Sequence, residues 1–504
     1  MSHRWCWKRL LVVCLLLGSP ALFFNGCVAS KQTNNLVLKE GPLLNKGRMS
    51  ASLGVIKLPD GRVAVIGGSP TEFPFVPHTG KDAIEILDAD LKTWTKSSLS
   101  LPYPVSGQAF LLKDGRVLVF NSVFILDVSN DGALSKDGKK PPDSAGPVSA
   151  LILDLNQNKL TPIYRPVGNK GGAKALVGNG VALMQRTFER AIQLKDGRIV
   201  RFGGYNRYQA PHPVATCEKS TCVYQCSGNA CATQPKEPAY CKEDKDCPKQ
   251  WSKTAHTVHD VVEVFTPPSG PGDKGSVKAY PMDFGRSAPA AVELSNGQLL
   301  LTGGWGPRGE GSNQAYKTAF LFDPNTGKRT ALPAMSSSRE DHEMSVLKDG
   351  RVLITGGTNG NGLSIDTTEY FHPDKKLFTL APRMSFSRAD HIALNLGPWV
   401  VFIGGEIKQR ADRIRNTAEA FDRATGQHVG HFFLFTLAQQ NNNSSVLEIL
   451  DAGISDFAAV NLSANKVLLL GGQQGRRDPD GEFISNGRGS RRTLIIEYNG
   501  NTTQ

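Results

Sequence analysis

Short apolar runs that alternate with polar positions, joined in pairs by Asp-Gly, recur along this chain. The clearest copy spans residues 339–357, REDHEMSVLKDGRVLITGG. It reads as a strand at 342–347, a turn at Asp349-Gly350 and a return strand at 352–355, closed by Gly356-Gly357. Asp-Gly between two apolar runs predicts a type I′ hairpin, in which both central residues take positive φ. The paired glycines predict a strand end where other backbone passes close by.

The hairpin returns at Asp60-Gly61 with Gly67-Gly68, at Asp196-Gly197 with Gly203-Gly204, and at Asn296-Gly297 with Gly303-Gly304. Looser copies lie at Asp114-Gly115, at Leu396-Gly397 with Gly404-Gly405, and at 463–466 ahead of Gly471-Gly472, which makes seven. A third apolar run follows each hairpin: IEILD from Ile84, ALILD from Ala150, VEVFT from Val262, AFLFDP from Ala319, TEYFHP from Thr368, AEAFDR from Ala418 and LIIEYNG from Leu494. A weaker fourth run comes next, such as LKTW ending at Trp94 or KKLFTL from Lys375. Four strands per unit, repeating at about 50 residues where nothing is inserted, make a propeller blade.

These hairpins and glycine pairs resemble the kelch repeat, from residue 36 to residue 499. The resemblance implies an all-β, seven-bladed kelch-type β-propeller, a fold that hosts enzymes, sugar binders and interaction platforms alike. Residues 35–48, NLVLKEGPLLNKGR, share the layout of KLFTLAPRMSFSR at 376–388, where a fourth strand ends, and the last unit stops after its third strand. The N-terminal strand is therefore expected to complete the last blade, with 36–38 beside 494–498, leaving no open sheet edge.

The N-terminus adds an address. Arg4, Lys8 and Arg9 precede a 15-residue apolar run at 10–24, short for a membrane span and suited to a signal peptide at 1–26. The run ends in Phe24-Asn25-Gly26-Cys27, which resembles a bacterial lipobox and implies acylation of Cys27. Residues 27–35 would then be a lipidated tether to a propeller at 36–504, and the protein an exported lipoprotein of the bacterial envelope. Loss of the three basic residues lowers the formal charge from +12 to +9.

Two of the nine cysteines, Cys6 and Cys14, lie in the signal. Setting Cys27 aside leaves six in a polar insertion at 205–260: Cys217, Cys222, Cys226, Cys231, Cys241 and Cys247. In an oxidising compartment such a segment is held by disulfides, with fifteen pairings open. C-x2-C spacing is missing, so zinc is disfavoured, and no metal or cofactor is expected.

In an antiparallel blade the Asp-Gly turn and the third-to-fourth connection share one face. The second-to-third loop and the link to the next blade share the other. The long segments, 121–147, 205–259, 406–415 and 473–492, nearly all fall on the second face, which is elaborated while the first stays plain. The short tether implies that the plain face lies toward the membrane. Basic residues gather in two elaborated loops, Lys408, Arg410, Arg413 and Arg415 in one, and Arg476, Arg477, Arg488, Arg491 and Arg492 in the other. Apart from Phe483 they lack interleaved aromatics, which argues against nucleic acid.

Candidate chemistry centres on a repeated S-R-x-D-H. Arg339, Asp341 and His342 form one copy, Arg388, Asp390 and His391 the other, and Arg286 and Arg186 occupy equivalent places. Around a channel mouth these groups could hold an anionic sugar or do acid–base work. The recurring third-strand Glu85, Glu263, Glu369 and Glu419 offer salt-bridge partners and favour a structural role instead. A galactose-oxidase-like copper site is excluded, because no mature cysteine except Cys27 lies outside the insertion. A resemblance to kelch-type sialic-acid mutarotases implies chemistry that needs only Arg, Glu and His at the mouth. The expected protein is a monomeric, envelope-anchored scaffold that binds an envelope protein or anionic glycan through its elaborated face, a binder rather than an enzyme. A sugar-active, mutarotase-like enzyme is the alternative.

Overall fold

The computed structural model describes residues 36–70, 83–101, 108–120, 148–164, 188–208, 255–408 apart from 271, 272, 274 and 312, 414–433 apart from 416, 457–477 and 483–500, with short strands at 125–126, 214–218, 221–225, 435–439 and 447–451. The signal, the tether, Cys27, Arg186 and four of the insertion cysteines lie outside them. All regular structure among the described residues is strand.

Seven four-stranded antiparallel sheets follow one another as blades. Blade 5 is typical, with Glu343–Val346, Val352–Thr355, Thr368–His372 and Leu377–Ala381 in that order. Blade 4 runs Ala290–Glu293, Leu299–Thr302, Ala319–Phe322 and Arg329–Ala331, and blade 6 runs Ile392–Leu396, Trp399–Ile403, Thr417–Asp422 and His428–Phe433. Blade 7 takes Phe457–Ser463, Lys466–Gly471 and Thr493–Tyr498 from the C-terminal part of the chain, and Leu36–Glu40 as its fourth strand. The register pairs Leu36 with Tyr498 and Leu38 with Ile496, so the ring closes as the repeat pattern predicts.

Second strands such as Val352–Thr355 are buried along their whole length, and their period-2 alternation divides them between two neighbours. Val352 and Ile354 pack toward blade 4, whereas Leu353 packs toward blade 6. Seven apolar clusters arise this way, one at each junction between successive blades, including the one between blades 7 and 1. Each fully buried Val, Leu, Ile or Phe contributes about 1.5–3 kcal/mol, so the core is a ring of junctions rather than one centre.

The Asp-Gly turns differ from expectation. Leu347 N–H bonds to Arg351 O and Gly350 N–H to Leu347 O, and only the glycine takes positive φ, at 87°. The same pairings recur around Gly61, Gly115, Gly197 and Gly297. This is a three-residue loop, a type I turn followed by a left-handed glycine, rather than type I′. Aspartate earns its place through its side chain: Asp349 Oδ1 accepts from Arg351 N at 3.0 Å. Fourth strands also begin later than the apolar runs suggest, at Trp94 and Leu377.

Face parity holds. Arg62 of the blade 1 turn donates to Asn156 Oδ1, in the third-to-fourth connection of blade 2, at 2.7 Å. On the other face, the links into blades 5 and 6 pair with second-to-third loops, Glu340 with Thr358 and Ala389 with Glu406. Connections on that face form extra sheets, among them Tyr205–Tyr208 between Ala255–Val258 and Ile125–Leu126.

Candidate functional site at the elaborated channel mouth

Arg339 and Arg388 lie in the links that enter blades 5 and 6, and both are 0% exposed. Arg388 donates to Gly404 O at 2.6 Å, Thr417 O at 3.0 Å and Glu419 Oε1 at 2.8 Å. Arg339 repeats this on Gly356 O, Thr367 O and Glu369 Oε1 at 2.8, 3.1 and 2.8 Å. Each guanidinium thus locks the end of the second strand to the start of the third within its own blade. Its main-chain carbonyl meanwhile accepts from the preceding blade's glycine pair, Arg388 O from Gly357 N at 2.9 Å. Gly356 and Gly357 take φ of 59° and 95°, and a Cβ on Gly356 would lie 2.4 Å from Arg388 O. That close approach is what the paired glycines allow.

His342 and His391 are also buried. Their Nε2 atoms face Thr302 Oγ1 and Thr355 Oγ1 of the preceding blade, at 2.7 and 3.0 Å. Burial, with the nearby Arg388 cation, pushes His391 down to about 3, and burial with Arg339 holds His342 well below the imidazole range. Both are neutral packing groups at physiological pH. The ligand-facing expectation for Arg339, His342, Arg388 and His391 is corrected by this burial: the salt-bridge partners in the third strands consume the arginines. Arg286 is buried likewise, on Gly303 O at 2.8 Å. Arg48 pairs with Glu85, and Glu263 takes Arg201 from a second strand, at 2.8 and 3.0 Å.

Asp341 and Asp390 behave differently. Phe188, Ala288, Asp341 and Asp390 occupy matching places in blades 3 to 6, each with φ between 47° and 54°. A backbone chain runs through them: Asp390 N–H to Asp341 O at 3.0 Å, Asp341 N–H to Ala288 O at 3.3 Å, Ala288 N–H to Phe188 O at 2.7 Å. Left-handed backbone costs a non-glycine residue about 1–2 kcal/mol, and such strain gathers at functional sites.

Over blades 5 and 6 this rim gathers carboxylates around one amine. Lys408 Nζ lies 2.7 Å from Asp390 Oδ2 and 2.8 Å from Glu406 Oε2, with its side chain a third exposed. Glu340 Oε1 accepts from Asn313 Nδ2 at 2.6 Å. Burial pushes the Glu340 carboxyl up to about 7; the Asn313 hydrogen bond opposes this and the Asp390 charge adds to it. Burial and then the charges of Asp390 and Glu340 hold Asp341 well above the carboxylate range. Burial works against the Lys408 charge, yet Asp390 and Glu406 overcome it and hold the ammonium on. Arg190 and Glu343, each at the start of a first strand, add a two-pronged ion pair between blades 3 and 5, at 3.1 and 3.2 Å.

The site therefore keeps Asp341 and Asp390 and adds Glu340, Glu406, Lys408 and Asn313. All of these but Asn313 lie in motifs or loops visible in the sequence, and Asn313 has no sequence signal. The basic loop is partly answered by the chain itself: besides Lys408, Arg415 donates to Ser387 O at 3.0 Å and stacks over Phe386. Arg410 and Arg413 lie outside the described residues.

No family model matches the chain. Two curated proteins, the N-acetylneuraminate epimerases of Brucella suis and Brucella melitensis biotype 1, are each 25% identical to it over 282 residues, 55% of this chain and 62% of theirs. The chain thus spans about three fifths of the length of the curated relatives it matches. A solved structure titled "Structure of YjhT" aligns with 43% of this chain and 71% of its own, at 16% identity and a TM-score of 0.32. The relatives correct the scaffold reading: both bear the name of an enzyme acting on a sugar, which favours the alternative.

Proposed function

We propose that the chain is a sugar-active, mutarotase-like enzyme whose chemistry takes place at the elaborated mouth, over blades 5 and 6. Mutarotation opens a cyclic sugar at its anomeric carbon, lets the freed carbonyl turn, and closes the ring again. A proton must reach the ring oxygen as its bond to the anomeric carbon breaks, and another must leave the anomeric hydroxyl. Asp341, whose protonated form burial and the neighbouring carboxylates favour, is the donor. Glu340, with its carboxyl near 7, is the acceptor; on closure it returns its proton to the carbonyl oxygen while Asp341 recovers its own from the ring hydroxyl. A group poised near the working pH serves both directions, and such transfer contributes about 10²–10⁴-fold. Lys408 offers a cation to an oxygen that gains charge.

The observation that carries this reading is the gathering of Glu340, Asp341, Asp390, Glu406 and Lys408 on a strained backbone rim, with the Glu340 carboxyl raised to about 7. The first substrate to test is N-acetylneuraminate, from the relatives' name. Freshly dissolved single anomer is followed by proton NMR near pH 7. The protein is expected to speed equilibration over buffer, Glu340→Gln to lower the rate by roughly 10² or more, and Ser287→Ala, at the matching place in blade 4, to leave it within about twofold. Equilibration at the buffer rate with this compound and with a panel of aldoses would overturn the proposal.

A further inference from the structure

The second-to-third connection of blade 3 contains a hairpin of Val214–Glu218 and Thr221–Gln225. Its register sets Cys217 directly opposite Cys222. We propose that these two cysteines form a disulfide across the hairpin, which assigns one pairing among the six cysteines of the insertion.

Two independent features carry the assignment. Directly opposed residues of an antiparallel pair share a face, and their Cα atoms lie about 4.5–5.5 Å apart, whichever type of pair they form. That interval falls inside the roughly 4.4–6.8 Å that a disulfide spans. In addition, among the described residues the two strands make a sheet of their own, with no third strand. An isolated two-stranded hairpin is marginal in water, so a covalent tie supplies order that the ladder does not. The loop it closes is short, so the bond orders the hairpin rather than stabilising the propeller.

Formation is an exchange reaction. Each thiol loses its proton, one thiolate attacks a disulfide of an exported thiol oxidant or of glutathione disulfide, and the second displaces the mixed disulfide. One S–S bond forms, one breaks, and the electron pair leaves on the oxidant's two thiols. With Cys217 and Cys222 paired, Cys226, Cys231, Cys241 and Cys247 retain three possible pairings instead of fifteen for the set.

The test uses the full chain, secreted or refolded with glutathione disulfide, alkylated and digested without reductant. Trypsin cuts after Lys219, between the two cysteines, and chymotrypsin cuts after Tyr224, which frees Cys222 from Cys226. The expected product joins the peptide ending TCEK to STCVY, two hydrogen atoms lighter than their sum and split by reductant. Recovery of Cys217 alkylated, or joined to any other cysteine, overturns the assignment. Thiol counts in denaturant give a second reading. Cys222→Ser should expose one extra thiol and Cys217→Ser/Cys222→Ser none, and equal counts in both variants would contradict the pairing.

Discussion

Blades 4 and 6 place the same arginine in the same pocket and answer its charge in opposite ways. Arg388 reaches two carbonyls and then Glu419. Burial would raise that carboxyl, but hydrogen bonds from His428 and Arg388 pull it down to about 2. Arg286 reaches the matching carbonyls, Gly303 O at 2.8 Å and Thr318 O at 3.4 Å, yet the residue at the glutamate's position is Phe320. Its guanidinium sits instead among Phe284, Tyr316 and Phe320, with ring centroids 4.9, 5.0 and 5.5 Å away. Burial lowers Arg286 to about 10. The architecture requires the carbonyl clamp, while the counter-charge can be a carboxylate or a set of π faces. The rim above follows the same division: blade 4 offers Ser287 and Ala288 where blade 5 offers Glu340 and Asp341.

The comparison breaks most visibly at Glu419. Glu419→Gln leaves a fully buried cation without its anion, and urea unfolding should show a loss of about 3–5 kcal/mol. A loss near 1 kcal/mol would mean that the carboxylate is as replaceable in blade 6 as in blade 4.

Next in size is the pH dependence of the acidic rim. With its folded pKa raised from 4.5 to about 7, Glu340 keeps a proton that the unfolded chain releases. The folded state then binds more protons, so stability falls as pH rises from 4.5 to 7 and the loss is complete above that window. Glu340→Gln retains an acceptor for Asn313 and removes the charge. It should exceed the parent in stability by about 3 kcal/mol at pH 8, with the gain vanishing below pH 4. A gain independent of pH would show that the carboxyl is not perturbed in the fold.

The smallest effect tests the aromatic answer. Phe320→Leu keeps apolar volume but removes one of the three rings around Arg286, and thermal unfolding should register a loss of about 1 kcal/mol. No change would assign the whole of the Arg286 environment to its backbone carbonyls.

The blade count, the ring closure through 36–40 and the split into plain and elaborated faces were legible in the chain, because strand alternation, glycine pairs and turn residues are local signals. The four third-strand glutamates likewise stood out as salt-bridge partners. The turn type was misread, since Asp-Gly suits both a type I′ loop and the three-residue loop with only its glycine left-handed. Asp341 and Asp390 were visible as candidates, but nothing local separated them from the arginine and histidine on either side.

What the sequence alone determined is the number of blades, the order of their strands and the packing of second strands between two neighbours, because period-2 alternation assigns each side chain to one neighbouring blade or the other. Only the tertiary structure decided which members of S-R-x-D-H reach the mouth. Arg and His turn inward to carbonyls, glutamates and threonines brought from other strands, while the left-handed aspartates between them stay on the rim. Glu340, Asp390, Glu406 and Lys408 become one site because links and loops from separate parts of the chain converge there. Their charges interact through space, and a linear sequence does not record that proximity.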